Sequence, residues 1–230
     1  MTDQTATTRP DDETVPIDVI SDVVCPWCYV GKRRLEKALG LMPEVSAKVR
    51  WRPFRLDPTI PPEGISRDEY LSRKFGPDRA ADMYARLTAM GDEEGIVFRF
   101  DRITRSPNTV DAHRLTKWAA AEGVEDDVVE RLFVAYFSEG LDVGDSDVLV
   151  GLAAEAGMTG DDVRTRLGVD EDRDETVAEI ENAYRIGVTG VPCFIVDQRV
   201  VVMGAHPPET IVQAVGQALA ERDGAPAAGA

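Results

Sequence analysis

Residues 24–31 read Val-Cys-Pro-Trp-Cys-Tyr-Val-Gly, and the two cysteines, Cys25 and Cys28, stand two residues apart. A C-x-x-C pair is typical of a redox dithiol, of half a zinc site, or of two thiols that pack in a core. A short Val/Ile-rich run at residues 17–20 precedes the pair, and residues 29–39 follow it with apolar positions at helical spacing. Cys25 is therefore predicted to lie where a strand ends and a helix begins.

This position favours redox chemistry. A thiol at a helix N-terminus lies near unpaired N–H groups and the positive end of the helix dipole, which lowers its pKa and populates the attacking thiolate. Pro26 fits the first helical turn, where its missing N–H is not needed, and Cys28 follows on the same face, one turn deeper. We expect an exposed nucleophilic sulfur at Cys25 and a buried resolving sulfur at Cys28, as thiol–disulfide exchange requires.

The other interpretations of the pair stay open but are less favoured. A structural zinc site needs four ligands, whereas the chain offers one further cysteine, Cys193, and two well-separated histidines. We therefore predict no metal site. Simple packing of two thiols leaves the Pro26-Trp27 filling at a strand-to-helix junction unexplained.

Composition and charge limit the classes of partner. The 230 residues carry a net charge of −16, which argues against a nucleic-acid partner and would repel an anionic membrane. No run approaches the roughly 20 apolar residues of a membrane span, and the polar N-terminal segment lacks the apolar region of a secretory signal. We expect a cytoplasmic protein, a monomer or a homodimer, without nucleic-acid or membrane partners. In a reducing compartment, three cysteines favour catalysis, metal binding or burial over structural disulfides.

The order of predicted elements is strand–helix–strand, a block of amphipathic helices, and then helix–strand–strand–helix. This order predicts an α/β fold with an all-helical insertion. The predicted units are a disordered tail at 1–15, a sheet domain at 16–62 and 171–222, a helical insertion domain at 63–170, and a disordered tail at 223–230.

Three local signals mark helix ends within this order. The Ser-Arg-Asp-Glu at residues 66–69 has the pattern of a capping box. Gly40 is predicted to be a C-cap, and Asn108 is predicted to be the N-cap of a helix that contains His113. His113 itself is expected to be a core or interface histidine.

A second chemical element lies far along the chain, at residues 187–196, which read GVTGVPCFIV. Its proline, Pro192, stands at the start of a predicted strand, where an edge, a bulge or a cis bond would accommodate it. From these residues alone, a trans proline that begins an edge strand is the ordinary expectation.

Four separated motifs together resemble the DsbA family of thioredoxin-fold oxidoreductases, and its FrnE-like branch in particular. They are SDVVCPWC at 21–28, WRPF at 51–54, SPNTVDAHRL at 106–115 and GVTGVPCF at 187–194. That branch is related to 2-hydroxychromene-2-carboxylate isomerases and kappa-class glutathione transferases. The resemblance covers residues 16–221 and implies a thioredoxin-like fold with an all-helical insertion domain.

The resemblance also implies an activity and a site. The chain is expected to be a dithiol–disulfide oxidoreductase with Cys25 as nucleophile and Cys28 as resolving thiol. Pro26 and Trp27 shape the site, as does a cis Val191–Pro192 peptide beside the dithiol. There the Val191 backbone would pair with the substrate main chain, while Pro192 keeps metals off the sulfurs. No bound cofactor is expected, and the exchange partner would be a low-molecular-weight thiol or a reductase protein.

Three further residues are candidate substrate contacts: Asn108, His206 and Cys193. Each has an ordinary alternative, as a helix cap, a loop histidine and a small buried hydrophobe respectively. Two other functions remain open for the whole chain. One is a small-molecule isomerase or glutathione-transferase-like enzyme of the same fold, and the other is a chaperone-like protein whose helical block binds clients.

Overall fold

A computed structural model describes residues 14–75 and 77–224. Its main sheet has four strands in the order β2-β1-β5-β6. They are β1 (Val15–Ser21), β2 (Ala47–Pro53), β5 (Cys193–Val196) and β6 (Val200–Met203). β1 pairs with β2 in parallel and with β5 antiparallel, and β6 continues the sheet as the second arm of a hairpin. A second, two-stranded ladder joins β3 (Ile65–Ser66) to β4 (Arg105–Ser106).

Helices make up most of the remaining chain. In order they are α1 (Pro26–Gly40), α2 (Arg67–Lys74), α3 (Pro77–Glu94), α4 (Val110–Glu122), α5 (Glu125–Val134), α6 (Ser146–Glu155), α7 (Gly160–Leu167), α8 (Arg173–Arg185) and α9 (Pro208–Arg222). A π-helical turn (Ala135–Glu139) extends α5, and a 3₁₀ turn (Phe100–Arg102) precedes β4. Among the described residues, no helix combines the length and the apolar character that a membrane crossing would need.

The sequence pattern explains the centre of the sheet. Val15, Ile17 and Val19 alternate along β1 and are buried in the main core, as expected for a β-branched strand covered by helices. The β5–β6 hairpin turns at Asp197 and Gln198, both in the left-handed region with φ of 52° and 55°. Positive φ at both central residues matches the twist of the flanking strands.

The helical block packs directly on the sheet domain through α1. Tyr29 of α1 stacks on Phe133 of α5 with ring centroids 5.0 Å apart and an interplanar angle of 9°, and its edge meets Phe98. One cluster of buried residues runs from β1 through α1 into α4, α5 and α6. The α/β fold with inserted helices is thus confirmed, and the division at residues 63 and 170 stays a prediction.

Several predicted ends shift in the structure. Ser66 caps α2 as predicted, since its hydroxyl accepts a hydrogen bond from the Glu69 N–H. Gly40 is not the C-cap of α1. It is the last helical residue, and Leu41 caps the helix by donating its N–H to the Lys37 and Ala38 carbonyls. Residue 15 belongs to β1 rather than to a disordered tail, whereas residues 1–13 and 225–230 of the predicted tails lie outside the described residues.

Candidate active site

Cys25 occupies the junction that the sequence predicted. It is the N-cap of α1 with extended backbone (φ −94°, ψ 112°), and Pro26 follows in the first helical turn. The Cys25 N–H donates to the Asp22 carbonyl, and the Cys25 carbonyl accepts the Cys28 N–H at 3.0 Å. These bonds close a tight turn between β1 and α1, so the first cysteine lies at the positive end of the α1 dipole.

The second wall of the site comes from the segment before β5. The Val191–Pro192 peptide is cis, as the family resemblance implies and against the ordinary expectation for an X-Pro bond. The Cys25 Sγ lies 3.6 Å from the Val191 carbonyl oxygen and donates to it. A hydrogen bond of 2.7 Å from the Gly204 N–H to the Pro192 carbonyl ties this segment to the residue after β6.

The expectation of an exposed Cys25 is wrong, because only 2 % of its surface is accessible. The Val191 carbonyl lies against the sulfur, and the side chain packs into the main core. Trp27, in contrast, is 36 % exposed. The Cys25 sulfur is therefore recessed beside an exposed indole ring.

Cys28 is fully buried, as predicted. Burial raises the pKa of its thiol well above the ordinary value, and the neighbouring Cys25 sulfur raises this pKa further. The Ser21 hydroxyl and the Asp22 backbone act in the opposite direction but do not outweigh these causes. All three cysteines are free thiols, and Cys28 is a protonated one at neutral pH.

A buried carboxylate whose role the sequence pattern did not indicate lies three residues before Cys25. Asp22 is 2 % exposed. Its carboxylate accepts the Leu56 N–H at 2.8 Å and the Val24 N–H at 3.5 Å. His113 bonds the Phe54 carbonyl at 2.9 Å through Nε2, which lies 3.7 Å from the same carboxylate. This network holds the segment after β2 against the segment that carries the dithiol, and His113 is a core histidine as expected.

The buried neighbours of Cys193 differ from those of the dithiol. Cys193 is buried in a small cluster with Ile20, Phe54, Ala183 and Val188, whereas Cys25 and Cys28 belong to the main core. Burial raises the pKa of the Cys193 thiol. The side chain packs as a small hydrophobe, and its role as a substrate contact stays a prediction.

The other two candidate contacts lie on loops. The N-cap of α4 is Thr109 and not Asn108, because the Asn108 Oδ1 accepts the Val110 N–H at 3.1 Å in a turn that precedes the helix. The Asn108 amide also donates to the Ile60 carbonyl at 3.0 Å. His206 is exposed, just before α9. Both residues stay predicted substrate contacts.

The charged and sulfur side chains do not gather into a metal centre within residues 14–75 and 77–224. In that part of the chain, no group of three or more His, Cys, Asp or Glu side chains has an arrangement that could hold an ion.

With this geometry, the chain matches the DSBA-like thioredoxin domain family over residues 16–216, and it belongs to that family. It is similar to a probable DsbA oxidoreductase, SCO1869, from Streptomyces coelicolor, with 34 % identity and a TM-score of 0.82 over 90 % of this chain and 91 % of that one. It is 29 % identical to the uncharacterized protein YwbO of Bacillus subtilis, over 82 % of this chain and 90 % of the relative.

A more distant structure shows the same fold. A 2-hydroxychromene-2-carboxylate isomerase is 17 % identical, with a TM-score of 0.67 over 91 % of this chain and 98 % of that one. The resemblance to the DsbA family and the thioredoxin-like fold are thus confirmed, and the FrnE-like branch stays a prediction.

Proposed function

We propose that this protein is a thiol–disulfide oxidoreductase in which Cys25 is the nucleophile and Cys28 the resolving thiol. One observation carries the proposal: the Cys25 sulfur lies at the start of α1, 3.6 Å from the carbonyl that precedes the cis Pro192, with Cys28 buried one turn behind it. Membership of a family whose relatives include a probable DsbA oxidoreductase supports it.

The reaction has two exchange steps. The Cys25 thiolate attacks one sulfur of a substrate disulfide, and the other substrate sulfur leaves as a thiolate that takes a proton from water. Cys28 then loses its proton to water and attacks the Cys25 sulfur, which releases the second substrate thiol. Two electrons pass from the dithiol to the substrate, and the reverse sequence oxidises a substrate dithiol.

The neighbouring sulfur couples the two steps. Cys25 raises the pKa of Cys28, and a thiolate at Cys25 disfavours a second negative charge beside it. Once Cys25 forms a mixed disulfide, its sulfur carries no charge, and the repulsion between two thiolates is lost. Cys28 then ionises more readily at the moment when its attack is required.

We extend the proposal to the residues around Cys25, the substrate and the exchange partner. Pro26 and Trp27 shape the approach to Cys25, and the Val191 backbone pairs with the substrate main chain. The substrate is a protein or small-molecule disulfide, and the exchange partner is a low-molecular-weight thiol or a reductase protein, without a bound cofactor. A cytoplasmic location and a monomeric or homodimeric state belong to the same proposal.

Insulin reduction by dithiothreitol tests the activity. We expect turbidity with the wild-type protein and none above background with Cys25→Ser. Cys28→Ser should accumulate a mixed disulfide that intact-mass spectrometry detects, because the resolving step is missing. A wild-type protein that neither reduces insulin nor forms this adduct would contradict the proposal.

The two alternative functions predict different results for the same variants. A glutathione-dependent isomerase would keep its turnover in Cys28→Ser, since one thiol suffices for cofactor binding. A client-binding protein would suppress aggregation equally well in wild type and in Cys25→Ser. The reduction potential of the Cys25–Cys28 pair then gives the direction of electron flow: above about −200 mV indicates an oxidant or isomerase, and near about −270 mV a reductase.

A further inference from the structure

A crevice of about 300 Å³ lies between the end of β2 and helices α4 and α8. We call it the β2–α4–α8 crevice. Its floor is apolar, with Val23, Trp51 and Val129 buried. Its rim carries charged side chains of both signs, namely Arg52, Lys117, Glu175 and Glu179. A volume of this size is at the lower end of the range for small-molecule sites.

One hydroxyl group that lines this crevice is buried without a partner. Thr176 is 1 % exposed, and its hydroxyl makes no hydrogen bond in the described part of the chain. The Ser21 hydroxyl, 5 % exposed, lies beside Cys28 and lowers the pKa of that thiol. Thr116 lines the same crevice and differs from Thr176, because its hydroxyl donates to the Ala112 carbonyl at 3.0 Å. Buried polar groups are normally satisfied, so the Thr176 hydroxyl indicates an absent partner.

The Glu125 carboxylate also lacks a counter-ion there. It lines the crevice and accepts one hydrogen bond, from the Trp51 N–H at 2.9 Å. Burial raises the pKa of Glu125, although the Trp51 N–H and the more distant charges of Arg52 and Arg50 lower it and Asp126 raises it. Within the described residues, no cation lies within ion-pair distance of this carboxylate.

Two cations line the crevice, Arg52 and Lys117, and both already have carboxylate partners. The Arg52 guanidinium pairs with Asp18 at 2.8 Å. The Lys117 ammonium pairs with Glu175 at 2.5 Å and Asp172 at 3.4 Å, so neither cation offers much to an anionic ligand.

The unpaired Glu125 instead favours a positive group, the Thr176 hydroxyl can accept one of its N–H donors, and the floor suits an apolar body. We propose that the β2–α4–α8 crevice binds a small molecule that carries a protonated amine on an apolar body.

Isothermal titration calorimetry of the full chain tests this proposal at pH 7 and 150 mM NaCl. The probe is phenethylamine, and 3-phenylpropionate is its comparator of similar shape and opposite charge. We expect saturable binding of the amine below 10 mM and none of the acid. Glu125→Gln keeps the acceptor for the Trp51 N–H but removes the charge, and it should weaken binding at least about tenfold. Thr176→Val removes the unpartnered hydroxyl and should weaken it about threefold.

The matched control is Glu122→Gln, which removes an exposed carboxylate from the end of α4 and should keep the affinity within about twofold. Circular dichroism confirms that each variant is folded. Three results would overturn the proposal: no amine binding up to 10 mM, equal binding to Glu125→Gln and wild type, or equal binding of the acid. Insulin reduction is measured on the same samples, so failure of the oxidoreductase proposal is seen separately.

Discussion

At the scale of single residues, the three cysteines differ in their surroundings rather than in their burial. Cys25 lies against the Val191 carbonyl at a helix start, Cys28 lies behind it, and Cys193 packs in a small apolar cluster. Desolvation without a stabilising partner favours the neutral thiol. We therefore expect the reactivity of each thiol to depend on its surroundings in the fold.

Cys193→Ala tests this difference. We expect insulin reduction within about twofold of wild type, and a loss of stability of about 1 kcal/mol from the smaller buried side chain. In a Cys25→Ser/Cys28→Ser background, iodoacetamide at pH 8 should modify Cys193 only when urea unfolds the chain. Rapid alkylation of the folded protein would instead indicate a third reactive thiol.

Gly31 is a second residue whose role depends on its neighbour. It lies on α1 beneath Pro192, and an added Cβ would come within 2.8 Å of the Pro192 Cγ. Gly31→Ala should therefore destabilise the protein by about 1–3 kcal/mol and slow insulin reduction, because the Pro192 segment must move. The measurement is urea unfolding of each variant.

Gly216 provides the matched control for this substitution. It also lies inside a helix, α9, but an added Cβ there meets nothing within 4 Å. Gly216→Ala should stabilise the protein by about 1 kcal/mol, the ordinary difference in helix propensity. If both alanine variants gain stability equally, the close contact with Pro192 has no energetic consequence.

At the scale of elements, a buried lysine ties α1 to α5. Lys32 is 2 % exposed, and its ammonium pairs with Glu36 on its own helix and with Asp126 and Glu130 of α5, at 2.9 and 3.2 Å. Burial alone would lower the pKa of Lys32, but Glu36 and Asp126 outweigh it and raise the pKa above its ordinary value. The helix that carries the dithiol is thus anchored by charge as well as by apolar contacts.

The pH dependence of stability follows from that direction. A lysine whose pKa is raised in the folded state contributes stability below its unfolded pKa of about 10.4, and that contribution is lost as the pH rises through the folded value. Lys32→Met should cost about 2 kcal/mol in the free energy of unfolding at pH 8, with the difference from wild type shrinking above about pH 10.5.

Chemical denaturation at pH 8, 10 and 11.5 measures this difference. Lys48→Met removes an exposed lysine of β2 and should show no such pH-dependent difference. A constant gap between wild type and Lys32→Met across the series would contradict the assigned role of the ion pairs.

At the scale of the whole molecule, the inserted helices and the sheet share one core. The main buried cluster contains Val19 of β1, Tyr29 of α1, Leu115 of α4 and Leu149 of α6. Phe133 lies at the centre of this contact, since its ring stacks on Tyr29 and meets the edge of Trp51. We expect the two predicted domains to unfold as one cooperative unit.

Phe133→Ala should lower the free energy of unfolding by about 3–5 kcal/mol. Hydrogen exchange read by mass spectrometry should show that β1 and α6 lose protection together, because they share the weakened core. Loss of protection in the helices alone, with β1 unchanged, would mean that the helical block unfolds independently.

Local sequence determined most of the secondary structure and the position of the dithiol. The dithiol at a strand-to-helix junction, the β5–β6 hairpin and most of the helices follow from short-range patterns of apolar residues, caps and turns, which act within a few residues. Family motifs added the cis peptide before Pro192. Helix ends were predicted less well, because the residue at which each helix begins or ends, Leu41 for α1 and Thr109 for α4, depends on local backbone geometry that several neighbouring residues can adopt.

Only the tertiary structure decided the surroundings of the dithiol. The Cys25 sulfur is covered by a carbonyl 166 residues away and by the main core, and the Asp22–His113 network also joins segments remote in sequence. The two-residue strands β3 and β4 carry no period to detect. Such contacts depend on how whole elements pack, and the order of residues within any one element does not contain that information.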